Sequence, residues 1–395
     1  MRPLEGIRIL DFSRVLAGPM ATQMLAEMGA EVTKIERPGT GDESRSFEPR
    51  VPGGESAYFF AFNRAKRSLT LNLKSPKGQD LARRLAAASD VVVENFLPGE
   101  MERFGLGYDQ LANLNPGLIY VSSTGFGQTG PYRDRPGYDT VFQALSGVMH
   151  LTGHADGPPA KAGVPIADLS AGLWIAIAIL SGLVGKARHG KGCRVDLSMM
   201  DVQASLLALA AARLFALDED VARAGTEHPG RVPSAAFECR DGGWLHISGS
   251  DQHWPGLCAA LGLSDLAADR ALDKNAERVV QRERVMAAMR AAILMHDRAP
   301  LAERLRAGGI PAGEVNTVRE ILSDPHMTAR GVVGAFEHSS AGRFPALRTP
   351  VRFEGFDDPQ IGCPPALGAD TDRILSEELG LGVTEIETLK SEGVI

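Results

Sequence analysis

One carboxylate whose setting could carry chemistry is Asp168, in Gly163-Val164-Pro165-Ile166-Ala167-Asp168-Leu169-Ser170-Ala171-Gly172. A carboxylate just ahead of an apolar run reads as a helix N-cap. A carboxylate at a helix start is also held rigidly, which suits a functional role. The helix dipole is expected to keep it ionised. A second constellation is Gly125-Phe126-Gly127-Gln128-Thr129-Gly130, directly after the strand-like Leu118–Ser122. A dinucleotide site needs such a loop to open a helix onto the pyrophosphate. Here it runs into Pro131-Tyr132-Arg133-Asp134-Arg135-Pro136, which has no helical period. The loop therefore reads as a glycine turn near a site. The nine histidines include no HExxH, and His150 and His154 lack an acidic or Cys partner, so no metal is expected. No GxSxG elbow is present either.

The elements that must position these groups alternate. Gly6–Phe12 reads as a strand, Pro19–Gly29 as a helix and Glu31–Ile35 as a strand. Lys77–Ala88 is an amphipathic helix, and Val91–Val93 and Leu118–Ser122 are buried strands. This order predicts an α/β fold with a mostly parallel, doubly wound sheet. Ala171–Gly185 is too short an apolar run to span a bilayer and fits a buried helix. Gly190–Leu197 ends that helix and starts a strand, and Asp201–Phe215 is helical. Thr226–Pro233 reads as a linker. The expected layout is a large domain at 1–224, a smaller α+β domain at 225–330 and a return to the large domain at 331–395. In the tail, Thr384-x-x-Glu387 suggests a capping box.

The chain has 395 residues, 44% of them hydrophobic, and a formal net charge of −7. That excludes a global nucleic-acid footprint. Cys193, Cys239, Cys258 and Cys363 are far apart and form no CxxC, which fits a reducing compartment. With no signal peptide in the first residues, a cytoplasmic protein without membrane or nucleic-acid partners is expected.

Several segments together resemble the class III CoA-transferase family, which includes formyl-CoA transferase and carnitine CoA-transferase. They are Pro3-Leu4-Glu5-Gly6 through Arg37, Phe62–Ser68, Val93–Phe96 with Pro98-Gly99, and the Gly125 loop. Gly137-Tyr138-Asp139, the Asp168 segment, Gly190-Lys191-Gly192, Gly309–Gly313 and Gly393-Val394-Ile395 complete the set. The resemblance implies a large Rossmann-like domain, a small inserted domain and an interlocked homodimer. It implies Asp168 as nucleophile, forming an aspartyl anhydride and then an aspartyl-CoA thioester. Tyr138, Gly127 and Gly249 are placed at the reacting centre, with backbone N–H groups around Gly125–Gly130 or at Gly249 holding the oxyanion. Val15, Leu16, Arg37, Leu71, Lys74, Asn95, Phe96, Arg103 and Met199 are placed around coenzyme A, which is a substrate; no cofactor is implied.

Two departures bear on substrate. Racemases of this fold carry a histidine base in the region where this chain reads Gly137-Tyr138-Asp139, so proton transfer at an α-carbon lacks one of its groups. Leu16 replaces the glutamine of formyl-CoA transferase, which disfavours formate and oxalate. Leu151-Thr152-Gly153 and Ala236-Phe237 are similar to members that use succinyl-CoA and glutarate. A dicarboxylate acceptor is therefore expected, with Arg231 or Arg135 as a partner for its distal carboxylate. The formyl-CoA:oxalate and racemase readings remain as alternatives inside the family. A non-catalytic CoA-binding module or an NAD-dependent oxidoreductase remains outside it.

Overall fold

Val91, Val92 and Val93 are all fully buried. A strand of that kind needs cover on both faces, which a parallel sheet with helical crossovers supplies. The computed structural model describes residues 1–395 and has this arrangement. In chain order come β1 (Arg8–Asp11), α1 (Ala17–Glu27), β2 (Glu31–Glu36), α2 (Ala57–Phe62), β3 (Arg67–Thr70), α3 (Pro76–Ala87) and β4 (Val91–Glu94). Then follow α4 (Glu100–Arg103), α5 (Tyr108–Leu114), β5 (Ile119–Thr124), α6 (Asp139–Leu145), α7 (Val148–Leu151), α8 (Ile166–His189) and β6 (Cys193–Ser198). The six strands are parallel, in the order β3-β2-β1-β4-β5-β6.

Neighbouring residues on each strand serve opposite faces. Leu10, Val92 and Tyr120 join Leu81 and Leu85 of α3 in one core. Ile9, Val91, Val93, Ile119 and Val121 join Leu25 of α1 and Ile175 and Ile179 of α8 in the other. The sheet is thus covered on both sides.

After β6 come α9 (Met199–Ser205) and α10 (Ala208–Leu217), bent by 63° at their junction. The single helix expected at 201–215 is therefore two. The chain divides into two compact units. One comprises Met1–Val148, Lys161–Asp218 and His326–Ile395; the other comprises Met149–Ala160 and Glu219–Pro325. The sequence reading drew the smaller unit at 225–330, without 149–160.

The smaller unit holds an antiparallel sheet of β7 (Ser234–Glu238), β8 (Trp244–Ser248) and, after α11 (Trp254–Leu261), α12 (Ser264–Ala268), α13 (Asn275–Val280), α14 (Arg282–Ile293) and α15 (Arg298–Ala307), β9 (Ala312–Glu314). Its core includes Leu245, Ile247, Trp254, Leu257, Met286 and Leu305. Then come α16 (Val318–Leu322) and α17 (Pro325–Ala329).

The hairpin β10 (Val333–His338) and β11 (Gly342–Leu347) precedes α18 (Thr371–Leu379) and α19 (Val383–Ser391). The last two helices return to the sheet: Ile374, Leu375 and Leu389 share the core of α3. The Asn72 N–H also donates to Val394 O at 2.8 Å.

Two local expectations are corrected. The helix around Asp168 is 24 residues long, not a short apolar run, and is long and apolar enough to cross a membrane by length and composition. Lys186, Arg188 and His189 extend it to Gly190, whose φ of 68° ends it. It serves as the crossover between the paired strands β5 and β6. The expected Thr384 capping box is absent, because α19 already starts at Val383 behind Gly382. A reciprocal box instead opens α16: Thr317 N–H donates to Glu320 Oε2 at 2.7 Å, and Glu320 N–H to Thr317 Oγ1 at 3.1 Å.

The glycine loop has a packing explanation. A Cβ on Gly125 would stand 2.6 Å from Cζ of the buried Phe142 ring, and one on Gly137 would also collide with that ring. Phe126 meets the same ring edge-on at 5.3 Å. Phe142→Ala is expected to cost about 3–5 kcal/mol of stability, read by urea unfolding. A loss below about 1 kcal/mol would show that the loop does not depend on this ring.

Candidate active site

The strand order reverses between β1 and β4. In open parallel sheets, ligands bind beyond the carboxyl ends of the strands at such a point. Two loops leave the sheet there, and Asn95 ties them together. Its Oδ1 accepts Arg14 N–H at 2.9 Å, and its Nδ2 donates to Arg14 O at 2.9 Å. Val15 has φ 70°, a left-handed conformation that a β-branched residue takes only when its surroundings impose it. The Val15 N–H faces the Asp42 carboxylate at 3.2 and 3.3 Å.

Behind this loop lies a buried charge network. Lys34 pairs with Asp42 at 2.8 Å and donates to Ser13 O at 2.7 Å. Asp11 accepts the Ser13 N–H, the Ser13 and Thr22 hydroxyls, and Lys66 at 3.1 Å. Burial opposes the ionised form of Asp42, but Lys34 and Ser44 overcome it and hold its carboxyl well below the usual range. Burial wins at Lys66, driving it down to about 8 despite Asp11. Burial also pushes Glu94, at the end of β4, up to about 7, although Ser122 and the Phe96 N–H hydrogen-bond to it.

Every residue expected around coenzyme A in the larger unit leaves this same edge. Val15 and the buried Leu16 follow β1, and the exposed Arg37 follows β2. Buried Leu71 and exposed Lys74 follow β3; Asn95, Phe96 and Arg103 follow β4; Met199 follows β6. Arg103 pairs with Glu100 at 3.4 Å, but its side chain is 72% exposed, so the pair leaves it available to another anion. The sequence reading missed Arg14, whose guanidinium lies 4.6 Å from the Phe96 ring centroid and whose buried Nε has no hydrogen-bond partner. It also missed the buried network. Its signal was a lysine inside the strand Glu31-Val32-Thr33-Lys34-Ile35-Glu36, where every other position but the first is buried too.

Asp168 is the third residue of α8, not its N-cap; that place belongs to Pro165, which makes no side-chain cap. Asp139 Oδ1 accepts the N–H groups of Ala167 at 2.8 Å and Asp168 at 3.3 Å. The Asp168 carboxylate itself receives no hydrogen bond from the chain, and burial, followed by the Asp139 charge, pushes it up to about 7. The expectation of a carboxylate held ionised by the helix end does not hold, because burial opposes the charge and two of the first-turn N–H groups go to Asp139, which adds a like charge. Tyr58 of α2 lies in the same field: burial, then Asp168, Asp42 and Asp139, push its phenol up to about 12. Tyr138 caps α6 and is 77% exposed.

In the glycine loop, Gly127 has φ 85°, and the Gln128 N–H is already held by the Asp196 carboxylate at 3.0 and 3.1 Å. Gly249 belongs to the smaller unit, and its N–H donates to Pro233 O at 2.9 Å. Neither of these two N–H groups is free for an oxyanion in this conformation.

The arrangement is a partly buried carboxylate with no hydrogen-bond partner from the chain, on a crossover helix of a sheet whose carboxyl edge carries arginines and a lysine. It can attack an electrophilic carbonyl, and the edge can hold a phosphate-bearing substrate. The model of the family described as CoA-transferase family III matches residues 4–371. The succinyl-CoA:glutarate CoA-transferase of Mus musculus is 39% identical over 395 residues, covering 100% of this chain and 91% of that protein. The Homo sapiens protein of that name is 37% identical over 395 residues, covering 100% and 90%. Among solved structures, a CAIB/BAIF family protein from Brucella suis shares 38% identity with a TM-score of 0.86, covering 95% of this chain and 99% of that one. With matching sequence along its length and a matching fold, this chain belongs to CoA-transferase family III.

Proposed function

We propose that this enzyme moves coenzyme A from succinyl-CoA to a free dicarboxylic acid such as glutarate, with Asp168 as the nucleophile. The observation that carries the reading is the Asp168 carboxylate, without a hydrogen bond from the chain and raised in basicity, in a chain similar end to end to proteins named for that transfer.

The Asp168 carboxylate attacks the thioester carbonyl, the C–S bond breaks and CoA leaves as thiolate. A mixed anhydride results. The thiolate then attacks the Asp168 carbonyl and releases the donor acid as its carboxylate, leaving an aspartyl-CoA thioester. The acceptor carboxylate attacks that thioester, giving a second anhydride and the thiolate. Attack of the thiolate on the acceptor carbonyl releases the new acyl-CoA and frees Asp168. Each step exchanges one activated acyl group for another, so no cofactor is required. Water must be excluded while the anhydride exists.

Two further features belong to this reading. Two copies form an interlocked homodimer. In support, α10 leaves Leu209 81% and Phe215 85% exposed, and α8 leaves Leu173, Trp174, Ile177 and Val184 exposed. The setting is cytoplasmic, which four unpaired cysteines suit.

The test is mass spectrometry after incubation with succinyl-CoA and trapping with hydroxylamine, beside Asp168→Ala. A modification mapping to Asp168 and absent from the variant supports the reading. No adduct with succinyl-, acetyl- or formyl-CoA would reject it. An acceptor series of glutarate, other dicarboxylates and oxalate then decides the substrate.

Basicity gives a second check. The nucleophile must be ionised, and Asp168 is pushed up to about 7 by burial and Asp139. kcat/KM for succinyl-CoA is therefore expected to be flat above pH 7 and to fall about tenfold per pH unit below it. An acid limb near pH 4 would show that the free enzyme does not hold Asp168 in this state.

A further inference from the structure

The nucleophile stands on a helix that cannot cap itself. Pro165 occupies the N-cap position of α8 and offers no side-chain acceptor. The N–H groups of the first turn have no partners within a helix, and left unpaired in a partly buried place they are costly. Two of them find an acceptor on another element. Asp139 Oδ1, at the start of α6, accepts from Ala167 at 2.8 Å and from Asp168 itself at 3.3 Å. The other oxygen of Asp139 accepts from Gln143 Nε2 at 2.6 Å. Gln143 Oε1 in turn accepts from Ala162 N–H at 2.8 Å. The segment that delivers the nucleophile is therefore held at both ends, at Ala162 and at Ala167–Asp168, by one pair of side chains. Gln143 is fully buried, so this pair is not a surface accident.

Resting on the transfer reading above, we infer that Asp139 is the positioning residue of the nucleophile: it caps α8 from outside and sets where Asp168 stands. A neutral acceptor could cap a helix equally well. An acid in this place adds a negative charge beside the attacking carboxylate. That charge raises the basicity of Asp168, and the repulsion disappears once Asp168 is converted to its neutral anhydride or thioester. The charged and titratable neighbours of Asp168 are Asp139 on α6 and the Tyr58 phenol on α2. The helices α1 and α9 meet the first turns of α8 through the uncharged Ala17, Met20 and Gln203.

The experiment compares wild type with Asp139→Asn and Asp139→Ala. Asp139→Ala removes cap and charge together. Its kcat is expected to fall about 10²–10³-fold with KM for succinyl-CoA within about threefold, since binding is intact and aim is lost. Asp139→Asn keeps an oxygen for both N–H groups but loses the charge and the acceptor of Gln143 Nε2. It is expected to recover kcat to within about tenfold of wild type, with the acid limb of kcat/KM moved to lower pH. A purely structural residue would change the melting temperature and leave that limb in place. Asp139→Ala within twofold of wild type in kcat, or an unmoved acid limb in Asp139→Asn, overturns the inference. Carbodiimide labelling of Asp168 against pH reads the same titration without turnover. If wild type transfers nothing yet the labelling profile shifts in Asp139→Asn, the transfer reading fails and the positioning stands. If wild type transfers and neither profile shifts, the positioning fails alone.

Discussion

Asp168→Ala is expected to lose CoA transfer from succinyl-CoA by on the order of 10⁴-fold or more in kcat, the scale on which removal of a covalent nucleophile acts. The same substitution should leave the protein as stable as wild type or more stable. Most losses of activity come with losses of stability, so the combination is diagnostic. Its cause is local. The Asp168 carboxylate accepts no hydrogen bond from the chain, and both burial and the Asp139 charge oppose its ionised form. A group whose pKa is higher in the folded state than in the unfolded state destabilises the fold increasingly as pH rises through that window. The gain on removal should thus be absent in the acid range below ordinary carboxylate values and grow until about pH 7. Above that it should reach on the order of 1–3 kcal/mol. Turnover by liquid chromatography of the CoA esters and urea unfolding at pH 5 and 8 measure both parts. Retained transfer would remove Asp168 from the mechanism. A loss of stability at pH 8 would contradict its placement among destabilising charges.

Asp42→Ala is expected to lose about 3–5 kcal/mol of stability, the usual result of stripping one partner from a buried ion pair. Lys34 and Asp42 are each 1% exposed at the side chain, so neither finds water when the other is gone. The N–H groups of Val15 and Ser44 lose their acceptor at the same time. Because Asp42 is held well below its ordinary value, the wild-type advantage should be full above the normal carboxylate range and fade as pH falls below it. The functional consequence should be weaker acyl-CoA binding, since Val15 would relax from its left-handed conformation. Urea unfolding and KM for succinyl-CoA report the two effects. A penalty under 1 kcal/mol at neutral pH would mean that the network does not carry the loop. Replacing the pair by Lys34→Met with Asp42→Leu should recover only part of the stability, because the Val15 and Ser44 N–H groups and Ser13 O still lose their partners, and should not recover KM.

The sheet was legible because its strands are short, apolar and spaced by amphipathic helices. Val91-Val92-Val93 and Leu118–Ser122 carry that signal in a few residues. β3 gives much less: Arg67-Ser68-Leu69-Thr70 has neither a clean alternation nor an apolar run. The hairpin at Val333–Leu347 was not read as strands, although Phe336 and Phe344 pair across it. Asp168 was legible as the start of an apolar helix, and as a nucleophile only through the family resemblance, yet its electrostatic state was misjudged. A local reading credits the helix end to the nearest acid. The N–H groups are in fact taken by Asp139, 29 residues earlier, and nothing in the spacing reports such a long-range cap. Arg14 and the Lys34–Asp42 pair were hidden for a similar reason: charged residues look solvated until the fold closes around them.

The parallel sheet has a consequence for how this enzyme could change over time. The loops that leave β1 to β6 at one edge carry the residues expected around substrate, while the two cores lie between strands and helices behind them. Variation in those loops can retune which acid is accepted without repacking either core. Arg14–Val15 is the exception, since its loop is tied to buried charges that hold the fold. Acceptor choice should therefore be evolvable at the later strands and frozen at the first.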